Sequence, residues 1–401
     1  MNKLSPELSL LLAATRMEPA DDAAAILKDT ADMFDWTYLV NIAYAHGVTG
    51  LLCRSILQQP KALIPDEICH AAQEHLKQRL IDNQTITDQL SNILANLASA
   101  GIEAIPFKGP ILAVSAYGDL ALRSFCDLDI FIRKEQIESC MDRLKVLGYE
   151  HAWNLSPRQW QEYVDYSGQD ILFGEGAPVE PHWAFAPRTM VLNFDYAALW
   201  QRTVSTKFNG QDVDVFSPED ELIILCVHGC KEKWLMLKWV ADIAEFIRSH
   251  VDLDWQCLFE RAQSQGFARI VALSLALSKQ LLDAPLPAVA QNWISQDKTA
   301  LSMSKNVSEC YFDPRESGKS IYQFSKFHFK MRERWQDRWL YVWRTLTQAR
   351  TCHYMDIALP DRLFFLYTPY KVLHDYLLLP IWLIIKRIPG QCVSHQPISE
   401  H

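Results

Sequence analysis

The chain has 401 residues, 49% of them apolar, with 39 Lys and Arg against 48 Asp and Glu and a net charge of −9. That apolar content supports a sizeable core, and at roughly 100–200 residues per domain the length suits two to four domains. An acidic chain lacks the cations that neutralise phosphates, which excludes general nucleic-acid coating but not a small charged substrate held by a metal.

The amino terminus carries Lys3, a short apolar run from Leu8 to Thr15 and acids soon after. It reads as a helix and not as a signal peptide. Ten cysteines, scattered from Cys53 to Cys392, read as reduced thiols of a cytoplasmic protein. No uncharged run reaches the ~20 residues of a spanning helix. The nearest, 376–385, is short and contains Pro380.

Residues 6–98 read as helices. Ile81, Ile86, Leu90, Ile93, Leu94 and Leu97 recur at steps of three and four, and Gly101 ends that pattern. A strand is predicted at 102–107, then a turn at Lys108-Gly109-Pro110 and a helix over about 110–117, with Pro110 in its first turn. Residues 127–132 alternate acid and apolar as a half-buried strand does. An amphipathic helix follows at 134–147, then strands at 170–173, 177–183 and 212–216, the last after an Asn209-Gly210 hairpin signal.

From Ser217 the pattern is helical again, with a Ser cap, Pro218 and acids at the first turn. Helices are predicted at about 218–231, 235–249, 255–265 and 268–283, a polar loop at 288–318, and one long helix over 319–350. Residues 360–388 are apolar and broken by Pro360, Pro369 and Pro380. The order is helices (1–100), a small α+β unit (101–216), a helical domain (217–300) and a basic, aromatic helical region (301–401).

Asp127 and Asp129 stand two apart on a predicted strand, so both carboxylates share one face while Leu128 turns to the core. Such a pair repels and raises its own pKa values unless a cation neutralises it. Mg²⁺ takes carboxylate and phosphate oxygens, which suits a nucleoside triphosphate. Glu180, in the extended stretch APVEPHW, is the candidate third acid. Lys108-Gly109 opens a helix and offers N–H groups to phosphate. Arg123 either meets phosphate or pairs with Asp119 or Asp127. His182 is a candidate at the same site or a packed histidine.

The segment FKGPILAVSAYGDLALRSFCDLDIFI resembles the nucleotidyltransferase superfamily, with its polymerase-β-like core of a glycine turn, a helix, a D-x-D strand and a later acid. It is most similar to a bacterial group of uncharacterised nucleotidyltransferase family proteins, which reads K-G, then Y, then R-x-x-x-D-[IL]-D. These positions are Lys108, Gly109, Tyr117, Arg123, Asp127 and Asp129. YAHGVTGLL (44–52), EPHW (180–183) and HGCKEKWLMLKWVADI (228–243) match as well, so the resemblance spans about residues 30–250. It implies an α+β fold, a small mixed-sheet nucleotidyltransferase core flanked by helical regions. It also implies transfer of a nucleotidyl group from an NTP such as ATP to an unidentified small molecule, sugar, peptide or protein. One or two Mg²⁺ would sit on Asp127, Asp129 and Glu180.

His228, Lys231 and Lys233 reach the cleft from the following helical domain on this reading, and Asp242 resembles the family's helix acid. Pro110 stands where many members have Ser or Gly, which removes one hydroxyl that often touches triphosphate. That departure supports an alternative, a non-catalytic protein that keeps the fold for binding.

Other signals are weaker. Cys226 and Cys230 share a helix face but His228 lies off it, a poor zinc arrangement. Gly318-Lys319-Ser320 lacks the earlier glycine and strand of a phosphate-binding loop, and Gly174 and Gly176 lack the third glycine of a dinucleotide fold. Residues 319–388 hold 12 basic and 5 acidic residues. Trp335, Trp339 and Trp343 recur there every fourth residue beside Arg334, Arg338 and Arg344. They either pack their indoles on the body or present a surface to a polyanionic acceptor or an acidic membrane face.

Overall fold

The computed structural model describes residues 4–17, 21–30, 34–312 and 325–379. The chain begins with α1 (Pro6–Ala14), α2 (Asp21–Thr30), α3 (Trp36–Ala45), α4 (Thr49–Gln58) and the long α5 (Asp66–Ser99). The α+β unit follows as β1 (Ala104–Pro106), α6 (Gly109–Tyr117), β2 (Leu128–Ile132), α7 (Ile137–Val146), β3 (Glu150–His151), α8 (Pro157–Ser167), β4 (Leu172–Phe173), β5 (Val179–His182), α9 (Tyr196–Gln201), β6 (Val204–Phe208) and β7 (Gln211–Val215). The rest is helical: α10 (Pro218–Lys231), α11 (Leu237–Ser249), α12 (Trp255–Gln265), α13 (Ala268–Leu282), α14 (Ala288–Gln296), α15 (Lys298–Cys310), α16 (Lys326–Met331), α17 (Trp335–Thr347), α18 (Thr351–Asp356) and α19 (Tyr367–Leu373).

Five strands form a mixed sheet in the order β1-β2-β5-β4-β3. β2 and β5 run parallel, with Asp129 opposite Glu180 and Phe131 opposite His182, and β1 pairs antiparallel with β2. Strand alternation sends Leu128, Ile130, Ile132 and Val179 to one face, where Leu90, Leu97, Cys140 and Leu144 of α5 and α7 cover them. The other face carries Asp129, Glu180, Phe131 and His182. Its aromatic part packs with Phe107, Phe185 and Phe216. A single large core unites the amino-terminal helices with α10, α11 and α13 and takes in one side of α6, through Leu112, Ala116 and Tyr117.

The fold class expected from the sequence, α+β with flanking helices, is what the chain adopts. Two expectations fail. Residues 288–318 are not a loop as far as they are described: α14 and α15 occupy most of them, α15 is capped by Asp297, and Ala290, Ile294, Ala300 and Met303 are buried. A polar composition hid a narrow apolar stripe. The helix expected over 319–350 is broken, since Arg332 and Arg334 are extended between α16 and α17. Residues 313–324, including the whole Gly318-Lys319-Ser320 tripeptide, lie outside the described residues. The sequence also missed α8, although Ser156 and Gln159 form a capping box at its start.

Two motifs of the sequence prove to be joints. The 44–52 segment supports the loop that leads into β2. Gly50 lies so close to it that a Cβ would stand 2.5 Å from the Ala121 carbonyl oxygen. Ser124 donates to the Gly47 carbonyl, and Asn83 of α5 donates to the carbonyls of Leu120 and Arg123. In the 228–243 segment, Gly229 lets the fully buried Trp234 indole cross α10, where a Cβ would meet the ring at 2.4 Å. Asp242 of α11 accepts two bonds from Arg123, Nε to Oδ1 at 2.8 Å and Nη2 to Oδ2 at 2.9 Å, and a third from the Tyr117 hydroxyl at 2.8 Å.

That cluster is buried, so removing the carboxylate leaves an unpaired cation in the interior. Asp242→Ala is expected to lower unfolding free energy by about 3–5 kcal/mol, read as a lower urea midpoint at unchanged slope.

Candidate active site

The D-x-D segment meets its partners at the edge of the β2–β5 pair. Asp129 is buried, at 4% exposure, and its Oδ1 accepts from Lys108 Nζ at 2.8 Å and from His182 Nε2 at 2.7 Å. Glu180 lies beside it in register, with His182 Nε2 at 3.6 Å from its Oε2. Gln169 donates to the same Oε2 at 2.9 Å and faces Lys231 Nζ at 3.5 Å through its own Oε1. Asp127 sits one residue before the strand, half-buried. Gly109 lies opposite it, its Cβ position 3.6 Å from the Asp127 carbonyl oxygen.

Lys108 caps α6 from a left-handed backbone, φ 53°, a conformation that L side chains adopt at a cost. This turns its side chain back over the sheet, with Nζ 4.9 Å from the Phe107 ring centre. Burial alone would lower the ammonium pKa, but Asp129, and then Asp127, outweigh it and hold the group charged. Asp129 shows the converse. Burial would raise its pKa, yet Lys108 and His182 keep it well below the usual carboxylate range. The Asp127 pKa is raised, first by burial and then by the charges of Asp129 and Glu180.

The acids are therefore unequal. Asp129 has two donors on one oxygen, whereas Asp127 has no side-chain hydrogen bond among the described residues. Asp129, Glu180 and His182 bring their ligand atoms within 4.8 Å of one another. His182 Nε2 is taken by Asp129, so the oxygens Asp129 Oδ2, Glu180 Oε1 and those of Asp127 are the ones left for a cation. An all-oxygen, net-negative donor set fits Mg²⁺ better than a nitrogen- or sulfur-preferring metal.

Other expected site residues fall into two groups. His228 and Lys231 of α10 reach this face, where they border a narrow pocket of about 10 Å³ with Lys108, His182 and Phe107. Burial, and then the charges of Lys108 and Lys231, hold His228 well below the usual histidine range, so it is neutral. Arg123 is taken up by Asp242, not by Asp119 or Asp127, and its Nη1 reaches the Gly109 carbonyl at 3.4 Å. Two residues went unnoticed in the sequence, Gln169 and Lys238. Lys238 lies within the quoted 228–243 segment. It has no carboxylate partner at ion-pair distance among the described residues, and its pKa is lowered by burial and then by Arg123, with Asp242 and then Asp127 acting against both.

A second acid–histidine cluster, His353, His374 and Asp375, is a worse metal site. The Arg350 N–H donates to His353 Nδ1 at 3.0 Å, so His353 Nε2 carries the proton it gives to Asp375. Lys371 takes the other Asp375 oxygen at 3.0 Å. A cavity of about 450 Å³ opens at the far end of β2 between Arg133, Arg188, Trp200 and Arg344. The stacked Phe131 and Phe185 rings lie on the side of it towards the acids.

A small mixed sheet with a glycine turn, a D-x-D strand and an acid on the parallel neighbour defines a nucleotidyltransferase core. Residues 32–283 match the family described as "Uncharacterised nucleotidyltransferase", and the chain belongs to that family. No curated protein matches the sequence. Among solved structures, the chain is similar to the antibiotic-resistance factor ANT(2'')-Ia, at 14% identity and a TM-score of 0.33, over 45% of this chain and 92% of that one. It is also similar to an antigenic nucleotidyltransferase-like protein from Paracoccidioides brasiliensis, at 17% identity and a TM-score of 0.32, over 52% and 95%.

One acid near the site carries a measurable cost. Glu221 of α10 is 5% exposed, and its Oε1 has no hydrogen-bond partner. Burial pushes its pKa up to about 7, with Arg123 pulling down and Asp242 pushing up. The folded state then binds the extra proton between the ordinary carboxylate value and about 7, so stability falls as pH rises through that window. Glu221→Gln is expected to gain about 2 kcal/mol over wild type at pH ~8 and almost nothing at pH ~4, read from denaturant unfolding at both values.

Proposed function

We propose that the protein is a Mg²⁺-dependent nucleotidyltransferase that moves a nucleoside monophosphate from an NTP, ATP among the candidates, to an acceptor hydroxyl or similar nucleophile. The observation that carries this reading is the set of unengaged carboxylate oxygens on Asp127, Asp129 and Glu180 beside the Lys108-Gly109 turn. Membership of a nucleotidyltransferase family supports the reaction class.

Asp127, Asp129 and Glu180 hold one or two Mg²⁺ on this reading. When bound, the metal supplies positive charge to the phosphoryl oxygens and orients the attacking and leaving oxygens. Lys108 and the N–H of Gly109 meet the triphosphate at the start of α6, with Lys231 and neutral His228 on the facing helix. Arg123 acts through position: it ties Asp242 to the Gly109 carbonyl and so fixes the turn. His182 keeps Asp129 oriented through Nε2. The acceptor oxygen attacks the α-phosphorus, the bond to the bridging oxygen breaks and pyrophosphate leaves. Where the cation rests on Asp127 and Asp129 alone, Glu180 keeps Oε1 free to receive the acceptor proton.

Pyrophosphate release from each NTP, with Mg²⁺ and a metabolite extract as acceptor source, tests this. Asp127→Asn with Asp129→Asn is expected to lower the rate by about a thousandfold, a loss of roughly 4 kcal/mol of transition-state stabilisation. A rate equal to wild type would overturn the assignment.

One observation favours a second reading, a binding protein that does not transfer. Lys108 already supplies a cation to Asp129. Titration calorimetry with NTP, with and without Mg²⁺, separates the two: transfer requires metal-dependent binding, and metal-independent binding without turnover favours the rival.

A further inference from the structure

α17 is turned inside out for a helix of a water-soluble body. Tyr341 and Thr345 face inward, at 2% and 4% exposure, while Trp335, Trp339 and Trp343 stand 68%, 64% and 65% exposed. Leu340 and Leu346 join them on the same outer face, both exposed. The indoles do not pack on the body, which removes the simpler of the two expectations drawn from their spacing. A stripe of three indoles and two leucines on one face is a contact surface, because water-facing helices normally carry polar side chains there.

The adjoining segment extends it. α19 and the turn after it pack on α17, with Lys371 Nζ donating to the Thr345 carbonyl at 2.8 Å. This pair leaves Val372, Leu373 and Leu377 exposed, and the turn before α19, Asp361–Leu366, adds exposed Phe365. Arginines accompany the stripe, and their bonds are to carbonyl oxygens. Arg334 Nη2 donates to the Ser264 carbonyl at 2.8 Å, Arg338 Nε to that of Arg332 at 2.9 Å, and Arg344 Nη1 to that of Arg188 at 2.8 Å. Carbonyl partners leave the positive charge uncompensated. From 334 to 350 the only acid is Asp337, against four arginines.

We propose that the outer face of α17, continued by α19, docks on the surface of an anionic lipid bilayer. Indoles settle at the headgroup level, where one edge is wet and the other apolar. The leucines and Phe365 enter the acyl boundary, and the arginines meet lipid phosphates. Free polyanions offer nothing to the leucines, and a second copy would bring arginines against arginines. No helix among the described residues is long and apolar enough to cross a membrane, so the contact is one of lying on the surface. It does not depend on the transfer reaction.

Full-length protein is sedimented with vesicles of phosphatidylcholine alone and with vesicles that also contain phosphatidylglycerol. Binding to the anionic vesicles is expected to be at least ~10-fold tighter and to weaken with salt. The variant Trp335→Ser, Trp339→Ser, Trp343→Ser is expected to lose ~10-fold or more of that affinity while keeping wild-type circular dichroism. Quenching by brominated lipid tails is expected in wild type and largely lost in this variant, a readout that survives any partial loss of stability. No vesicle binding by wild type, equal binding by the variant, or equal binding to neutral vesicles would each overturn the proposal. So would a concentration-dependent dimer abolished by the same substitutions.

Discussion

One buried carboxylate, Asp242, joins the two halves of this molecule. It belongs to α11 in the helical part, yet its three bonds go to Tyr117 at the end of α6 and to Arg123 in the loop before β2. Arg123 then reaches back to the Gly109 carbonyl. The glycine turn, the loop that delivers the D-x-D strand and the first helical layer after the sheet are thus tied at one point. Burying such an ion pair costs desolvation that its attraction only partly offsets, so its return is geometric: it fixes where Lys108, Asp127 and Asp129 stand. Burial holds the Tyr117 phenol, and then the Asp242 charge holds it further, well above its ordinary pKa.

Much of this was legible in the sequence because the residues obey local rules. The alternation over 127–132 places the strand and both its faces, Ser217-Pro218 starts α10 at the expected residue, and helices over 255–265 and 268–282 follow from apolar spacing. What local rules do not carry is partnership across the chain. Arg123 was a candidate for phosphate, or for Asp119 or Asp127, because those acids lie near in sequence. Its partner lies 119 residues away. Gln169 carried no sequence signal, since its bonds to Glu180 and Lys231 depend on how β5 and α10 meet. The stripe on α17 shows a subtler limit: spacing says that three indoles share a face, and only packing says whether that face is inside.

On the proposed reading, the acid cluster would behave as an ion-exchange site. Lys108 neutralises one charge of three, chiefly at Asp129, and leaves Asp127 without a donor and with a raised proton affinity. On that reading, an arriving divalent cation would find one carboxylate already oriented by a lysine and a histidine and another that lacks a hydrogen-bond donor. The strained backbone at Lys108 is the local cost of this arrangement, tolerated because the Nζ bond to Asp129 and the bond from the Leu112 N–H to the Lys108 carbonyl hold the residue in place. His46, in the amino-terminal part, belongs to the same scheme at one remove. Burial keeps it neutral, its Nδ1 accepts from the Leu237 N–H at 3.2 Å, and its carbonyl accepts from the Lys238 N–H, which stations Lys238 near Asp127.

The 34 residues of α5 make a rod about 50 Å long. Near its start Ala72 is part of the helical core, at its middle Asn83 holds the loop before β2, and at its end Leu90, Ile93, Leu94 and Leu97 lie under the sheet. A strut pinned at three stations resists the scissor motion by which many two-part proteins open and close over a ligand. Rotating one part against the other would bend a continuous helix or tear out one of its anchors. The connection between β5 and α9 is itself packed, with Trp183, Phe185, Met190 and Val191 buried and the Arg188 carbonyl held by Arg344. The molecule is a frame braced across the joint between its sheet and its helical part.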